Sequence, residues 1–268
     1  MTVQVSVVFG TYNRAELLTR SLEGYLRQRL PLDRLEIIAI DDWSTDDTAD
    51  VLATYAKRMR IVVIRPPWKE PGTWRDSATV LNIGFRAAAG ELVVSTHPEV
   101  IPGLDSLRAM HARRRERAYH ACKAYYLNVE QQAALDTVDW KASNLGVREL
   151  PGFYVGPADL DAPENAFAHG AMDRHRVWES LLFGAMTRDT WRWFGGLREF
   201  EGWGSVDVDF LHRRQALGME NLTELGDETI CIHQNHDAQN AGVERDVVRA
   251  IAAVPKYERP EDALLSNL

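Results

Sequence analysis

Along the first hundred residues, short apolar runs alternate with stretches in which apolar positions recur every three or four residues. Gln4–Phe9 is β-rich and closes in a polar turn at Gly10–Asn13. Leu17, Leu18, Ser21, Leu22, Tyr25 and Leu26 then follow at helical spacing and form one stripe. Leu35–Ile40 is a continuous apolar strand ending at Asp41 and Asp42. Ser44–Asp47 reads as a helix N-cap region, and Val51, Leu52, Tyr55, Ala56 and Met59 supply the next stripe. Ile61–Ile64 is a third strand, Asp76–Ala89 a third helix closed by Gly90, and Leu92–Ser95 a fourth strand. Apolar strands separated by amphipathic helices predict an α/β fold with a mostly parallel sheet covered on both faces. Ligands on such sheets collect beyond the carboxyl ends of the strands. Thr11, Tyr12 and Asn13, Asp41 and Asp42, and His97 with Glu99 are therefore expected on one rim.

The second half is less regular. His120–Val129 reads as a strand, and residues from about Gln131 to Arg176 mix Pro, Gly, Asp and Asn with little periodicity, which predicts loops and short elements. Thr187–Phe194 is expected as a helix broken by Gly195-Gly196, Val208–Leu217 as another helix, and Thr229–His233 as a strand. The end of the chain reads as a tail. No internal repeat or low-complexity linker divides the 268 residues, a length that one large domain accounts for.

A net charge of −8 argues against holding nucleic acid by bulk electrostatics. The one basic run, His111–Arg117, reads first as a solvated helix face, and alternatively as a patch for an anionic acceptor or headgroup. Cys122 and Cys231 sit in apolar surroundings and read as buried free thiols. The first residues lack a basic leader, and no apolar run approaches the ~18 residues that span a bilayer. A cytoplasmic protein without a membrane span is the expectation.

The turn after the first strand is GTYNRAE, not G-x-G-x-x-G, and no G-x-x-x-x-G-K-[ST] occurs, so dinucleotide and P-loop readings lose support. The segments SVVFGTYNRAELLTRSLEGYLRQ, LEIIAIDDWSTDDT and ATVLNIGFRAAAGELVVS, in this order over about Val3–Pro102, resemble the family 2-like GT-A glycosyltransferases. The resemblance implies a Rossmann-like GT-A fold that takes a nucleotide-sugar donor. Carried over by position, Thr11, Tyr12, Asn13, Asp41 and Asp42 line the nucleotide site, with Tyr12 stacking near the base and Asp42 accepting from it. Arg75 would lie toward the diphosphate.

The family's Asp-x-Asp after the fourth strand is replaced here by Ser95-Thr96-His97-Pro98-Glu99. It resembles the Asp-x-His version of the polypeptide N-acetylgalactosaminyltransferases without its first acid, and implies His97 as a ligand for a divalent ion, Mn²⁺ above all. Downstream, FGAMTRDTWRWFGGLREFEGWGSVDVDFLHRRQALG resembles the carboxy-terminal region of galactosyltransferase-like and polypeptide N-acetylgalactosaminyltransferase enzymes. Their W-G-G-E-D stands here as Trp203-Gly204-Ser205-Val206-Asp207. This implies Asp207 as the general base of an inverting transfer. Trp203, Gly204 and Asp209 would contact the acceptor, Trp203 offering an apolar face to a sugar ring. The late histidine ligand of the relatives falls on His233, chosen over His236.

Together these readings predict one GT-A domain over 1–250, with a nucleotide-sugar half (1–102), an acceptor half (103–250) and a tail (251–268). The expected reaction is inverting hexosyl or N-acetylhexosaminyl transfer from a UDP-sugar to a hydroxyl of a glycan or other acceptor. A metal-independent transferase, with Arg75 offsetting the diphosphate charge, and a catalytically lapsed sugar-nucleotide or glycan-binding protein stay open beside it.

Overall fold

The computed structural model describes residues 2–70, 75–127, 129–138, 181–200, 206–222, 230–236, 254–255 and 257–266. The strands are β1 (Val5–Thr11), β2 (Leu35–Asp41), β3 (Ile61–Ile64), β4 (Leu92–Thr96), β5 (Val100–Pro102), β6 (Ala118–Ala121), β7 (Lys123–Tyr126), β8 (Phe183–Thr187), β9 (Glu220–Asn221) and β10 (Ile230–His233). The helices are α1 (Ala15–Leu26), α2 (Thr48–Tyr55), α3 (Ser77–Ala87), α4 (Ser106–Ala112), α5 (Val129–Asp136), α6 (Arg188–Phe194) and α7 (Val206–Ala216). Seven strands form one sheet in the order β3-β2-β1-β4-β8-β6-β9, and β5-β10-β7 form a second. β3, β2, β1 and β4 are parallel, and β8 runs antiparallel between β4 and β6.

Side chains of successive strand residues point to opposite faces. Val5, Val7 and Phe9 accordingly join Leu18, Leu22 and Tyr25 of α1 and Leu52 of α2 in one core. Val8, with Ile38 and Ile40 of β2, joins Val80, Leu81 and Phe85 of α3 in the other. At Gly84 helix α3 approaches the sheet so closely that a Cβ would stand 2.2 Å from Val8 Cγ1 and 2.8 Å from Ile40 Cδ1. Both faces are thus covered, as the continuous apolar strands predict.

Four expectations change. His120–Val129 is not one strand, because the chain crosses from β6 in the large sheet to β7 in the small one at Cys122, and α5 begins at Val129. β8, Phe183–Thr187, where no element is expected, enters the middle of the large sheet and ends on Thr187, the first residue of the expected helix. Only His111 and Ala112 of the basic run are helical. Arg114 pairs with Glu91 at 2.7 Å and Arg115 with Glu220 at 3.1 Å, so those two arginines are tied to neighbouring acids off the helix. Finally, the segment expected as a tail docks on the domain, with Ala263 of a 3-10 turn (Pro260–Ala263) fully buried. Cys122 and Cys231 are buried free thiols. Among the described residues no helix is long and apolar enough to cross a membrane.

Candidate active site

The parallel ladder brings the carboxyl ends of β1, β2 and β4 to one rim, with Thr11 opposite Asp41. The loops that follow β1 and β2 are stitched together. Asn13, in the left-handed region at φ 51°, accepts through Oδ1 from the Thr45 amide at 2.7 Å and donates its own amide to Ser44 Oγ at 3.0 Å. Asn tolerates that conformation better than most residues. Asp46 and Thr48 accept from the Ala15 and Arg14 amides at 3.1 Å each, and Asp46 also accepts from the Thr48 amide at 3.0 Å, so the polar run serves the starts of both α1 and α2. These bonds meet orphan donors of a helix start and hold the loop rigid. Burial pushes the Asp46 carboxyl up, but its bonds to Thr48 and Ala15 bring it below its ordinary value.

Asp41 faces inward, where it accepts from Arg65 at 2.9 and 3.0 Å and from the Ser44 amide at 2.9 Å. It serves as a buried strut. Asp42 is the carboxylate at the rim, paired with Arg75 Nε at 2.9 Å and with Lys69. The Lys69 ammonium also stands 5.1 Å from the Tyr12 ring centroid, and Tyr12 is one of the few exposed large apolar side chains among the described residues. Tyr12, Asp42, Lys69 and Arg75 therefore form one patch. Thr11 is buried at its base. Arg75, expected toward the diphosphate, donates to Asp42 and to Pro67 O. Lys69 carries no motif and was missed.

Beyond β4 the two sheets meet. β5 pairs antiparallel with β10, setting His233 opposite Val100, and the Gln234 side chain donates to Glu99 O at 3.0 Å. Glu99 Oε1 consequently lies 3.5 Å from Nε2 of both His233 and His236, and 3.4 Å from His97 Nδ1. One ligand atom each from Glu99, His233 and His236 fall within 4.8 Å of one another. Atoms about 2.1 Å from a tetrahedral ion stand about 3.4 Å apart, so the donor set fits a divalent transition ion. Burial raises the Glu99 carboxyl, yet the imidazoles of His233, His236 and His97 overcome this and hold it well below the usual range. Burial also lowers His97, but the Glu99 bond and charge, with the charge of Asp207, raise it on balance. For His233 burial wins and its pKa falls. Sequence reasoning placed His97 and His233 here but passed over His236 and did not assign Glu99 as a ligand. Ser95, at the missing acid, is buried and donates to Leu181 O at 3.2 Å, so it does not face the group.

Asp207 opens α7 on the same side of the molecule. It is exposed, and one oxygen accepts from the Leu181 amide at 2.8 Å. Asp209 is not brought to the rim. Two residues on a helix lie about 200° apart, and Asp209 turns into the interior, where Tyr257 donates to it. Its expected acceptor contact is corrected to a packing role on the far face of α7. Trp203 and Gly204 lie outside the described residues.

Residues 6–98 match glycosyl transferase family 2. The fold is that of the GT-A glycosyltransferases. A validoxylamine A glucosyltransferase of Streptomyces hygroscopicus subsp. jinggangensis is 30% identical over 80% of this chain and 52% of its own length. A poly(ribitol-phosphate) beta-glucosyltransferase of Bacillus spizizenii is 36% identical over 39% of this chain and 16% of its own. The chain thus spans about half the length of the first of these relatives, or less. Among solved structures, S. aureus TarS 1-349 in complex with UDP-GlcNAc is similar to this chain. Its TM-score is 0.61 at 15% identity, over 92% of this chain and 64% of that one. The mannosyltransferase PcManGT from Pyrobaculum calidifontis, in complex with GDP-Man and Mn²⁺, gives 0.57 at 19% over 89% and 59%. These likenesses carry the fold.

Proposed function

We propose that the chain transfers a hexose or N-acetylhexosamine, with inversion, from a UDP-sugar to an acceptor hydroxyl, and that Asp207 is the base. The observation that carries this reading is the placement of Asp207: an exposed carboxylate at the start of α7, bonded to the Leu181 amide and near enough to His97 beyond β4 for its charge to act there. The resemblance of Trp203–Asp209 to galactosyltransferase-like and polypeptide N-acetylgalactosaminyltransferase enzymes supports the same role. The 30% relative, named as a glucosyltransferase, supports a hexose donor.

In this reading residues 1–102 hold the donor and 103–250 the acceptor. Tyr12 covers the uracil, and Asp42, flanked by Lys69 and Arg75, accepts from its N–H. The acceptor oxygen attacks the anomeric carbon as its bond to the diphosphate breaks, and Asp207 takes the hydroxyl proton. Glu99, His233 and His236, with His97 beside them, would hold a divalent ion, Mn²⁺ by preference. Such an ion offsets charge on the departing diphosphate.

Asp207→Asn keeps the size and the Leu181 bond but cannot take a proton. Turnover, followed as UDP release from UDP-glucose and UDP-GlcNAc with a panel of sugar and polyol acceptors, should fall ~10²–10⁴-fold. UDP affinity should hold, the signature of an interaction made in the transition state. The product's anomeric configuration, read from NMR couplings, should be opposite to the donor's. Turnover near the parent's, or a retained configuration, would overturn the mechanism.

A further inference from the structure

The helix that carries Asp207 is held from behind by the last residues of the chain. Asp209, on the opposite face of α7, accepts from the Tyr257 hydroxyl, which itself accepts from Arg198 Nε at 3.0 Å. One turn further along, Arg213 is fully buried. It donates to Ala263 O at 2.6 Å, to Gly196 O at 2.7 Å and to Phe194 O, with its guanidinium 3.8 Å from the Phe194 ring centroid. Asp209 lies 3.9 Å from it. His212 Nδ1 is 3.1 Å from Pro255 O.

The fit is close. Gly195 ends α6 in the left-handed conformation at φ 78°, and a Cβ there would stand 1.8 Å from Leu265 O. The Leu265 amide donates back to Phe194 O at 3.4 Å. One buried cation therefore ties the end of α6, the body of α7 and the end of the chain, and a buried charge of this kind tolerates little displacement of its partners.

We propose that residues 257–266 are a positioning element of the active site. Tyr257 through Asp209, and Ala263 through Arg213, fix the rotation and height of α7 and so the place of the Asp207 carboxylate on the rim. This rests on the reading of Asp207 as the base. Small displacements of a reacting group cost as much as ~10²-fold in rate, which sets the scale.

The experiment compares Tyr257→Phe, Asp209→Asn, Asp209→Ala and a chain ending at Pro255, each with and without Asp207→Asn. UDP affinity is read by calorimetry, and turnover as UDP release from UDP-glucose and UDP-GlcNAc. Amide hydrogen exchange over 206–210 gives a readout independent of the donor. Tyr257→Phe should lower turnover about 10–100-fold with UDP affinity held within about twofold. Exchange over 206–210 should quicken while β1 and β2 stay protected. Asp209→Asn, which keeps an acceptor for Tyr257, should retain more activity than Asp209→Ala. In the Asp207→Asn background Tyr257→Phe should add nothing, because coupled sites are not additive. Unchanged turnover and exchange in Tyr257→Phe, or a parallel loss of UDP affinity, would overturn the proposal. If Asp207→Asn alone keeps full turnover, the base reading fails, and the exchange data still decide whether the terminal segment holds α7.

Discussion

At the first two strands, each predicted rim residue sits at, or within two positions of, the end of its own strand: Thr11, Tyr12 and Asn13 at β1, Asp41 and Asp42 at β2. The histidine group around Glu99 and the carboxylate of Asp207 are placed differently. Glu99 meets His233 and His236 because β10 lies antiparallel to β5, and Asp207 opens a helix that residues 257–266 pack from behind. The first kind of site follows from local order in a parallel sheet, where each βα unit delivers its own loop to the same edge. The second depends on pairings between distant parts of the chain, each with its own loop-closure cost. A site assembled in this second way should be lost by changes that leave the first kind untouched.

The largest expected separation between the two kinds of site is at Glu99. Glu99→Ala should weaken Mn²⁺ binding by about 100-fold or more, since even outer partners of a ligand are worth ~10–100-fold. UDP binding measured without metal should stay as it was. Calorimetry with each titrant checks both, and a matching loss of UDP affinity would erase the distinction between the two kinds of site.

Acid should probe the far end of the large sheet. His120 of β6 is fully buried, neither ring nitrogen is bonded among the described residues, and burial, then Arg115 and Arg113, lower its pKa to about 4. The unfolded chain binds this proton near 6.5 and the folded one only near 4. Folding is therefore unpenalised above about 6.5 and loses stability as pH falls toward 4. A shift of this size corresponds to roughly 3 kcal/mol. Urea midpoints between pH 7 and 4 should fall more steeply for the parent than for His120→Leu. Equal slopes would remove His120 from the account.

Within the donor half, Asp42→Ala should cost UDP about 1–3 kcal/mol of affinity, the scale of a lost bond to a buried group. Mn²⁺ binding in the absence of UDP should persist. At the small end, Arg115→Ala breaks an exposed pair with Glu220 and should shift stability by less than about 1 kcal/mol. A larger shift in thermal unfolding would mean that the basic loop contributes more than a surface pair.

The βα units over Gln4–Ser95, the rim residues Tyr12 and Asp42, and two of the four residues around the metal group, His97 and His233, were all legible in the sequence. So was Asp207 at a helix start. These are features of periodicity and short motifs, and they depend on neighbours a few residues away. β8 was hidden because FGAMT has the length and polarity of a helix approach as much as of a strand. Asp209 was misplaced because two acids two positions apart look equivalent in a motif, whereas on a helix they face opposite ways.

By itself the sequence determined the donor half of this protein: apolar strands must be covered, and their polar ends must gather at one edge. Only the tertiary structure decided that Glu99 and His236 join His233, that Lys69 joins Asp42, and that the terminal segment braces α7. Those outcomes depend on which distant strands pair and in what register, and on which carbonyls a buried arginine finds. Such choices are made by packing across the whole chain, and no window of sequence contains them.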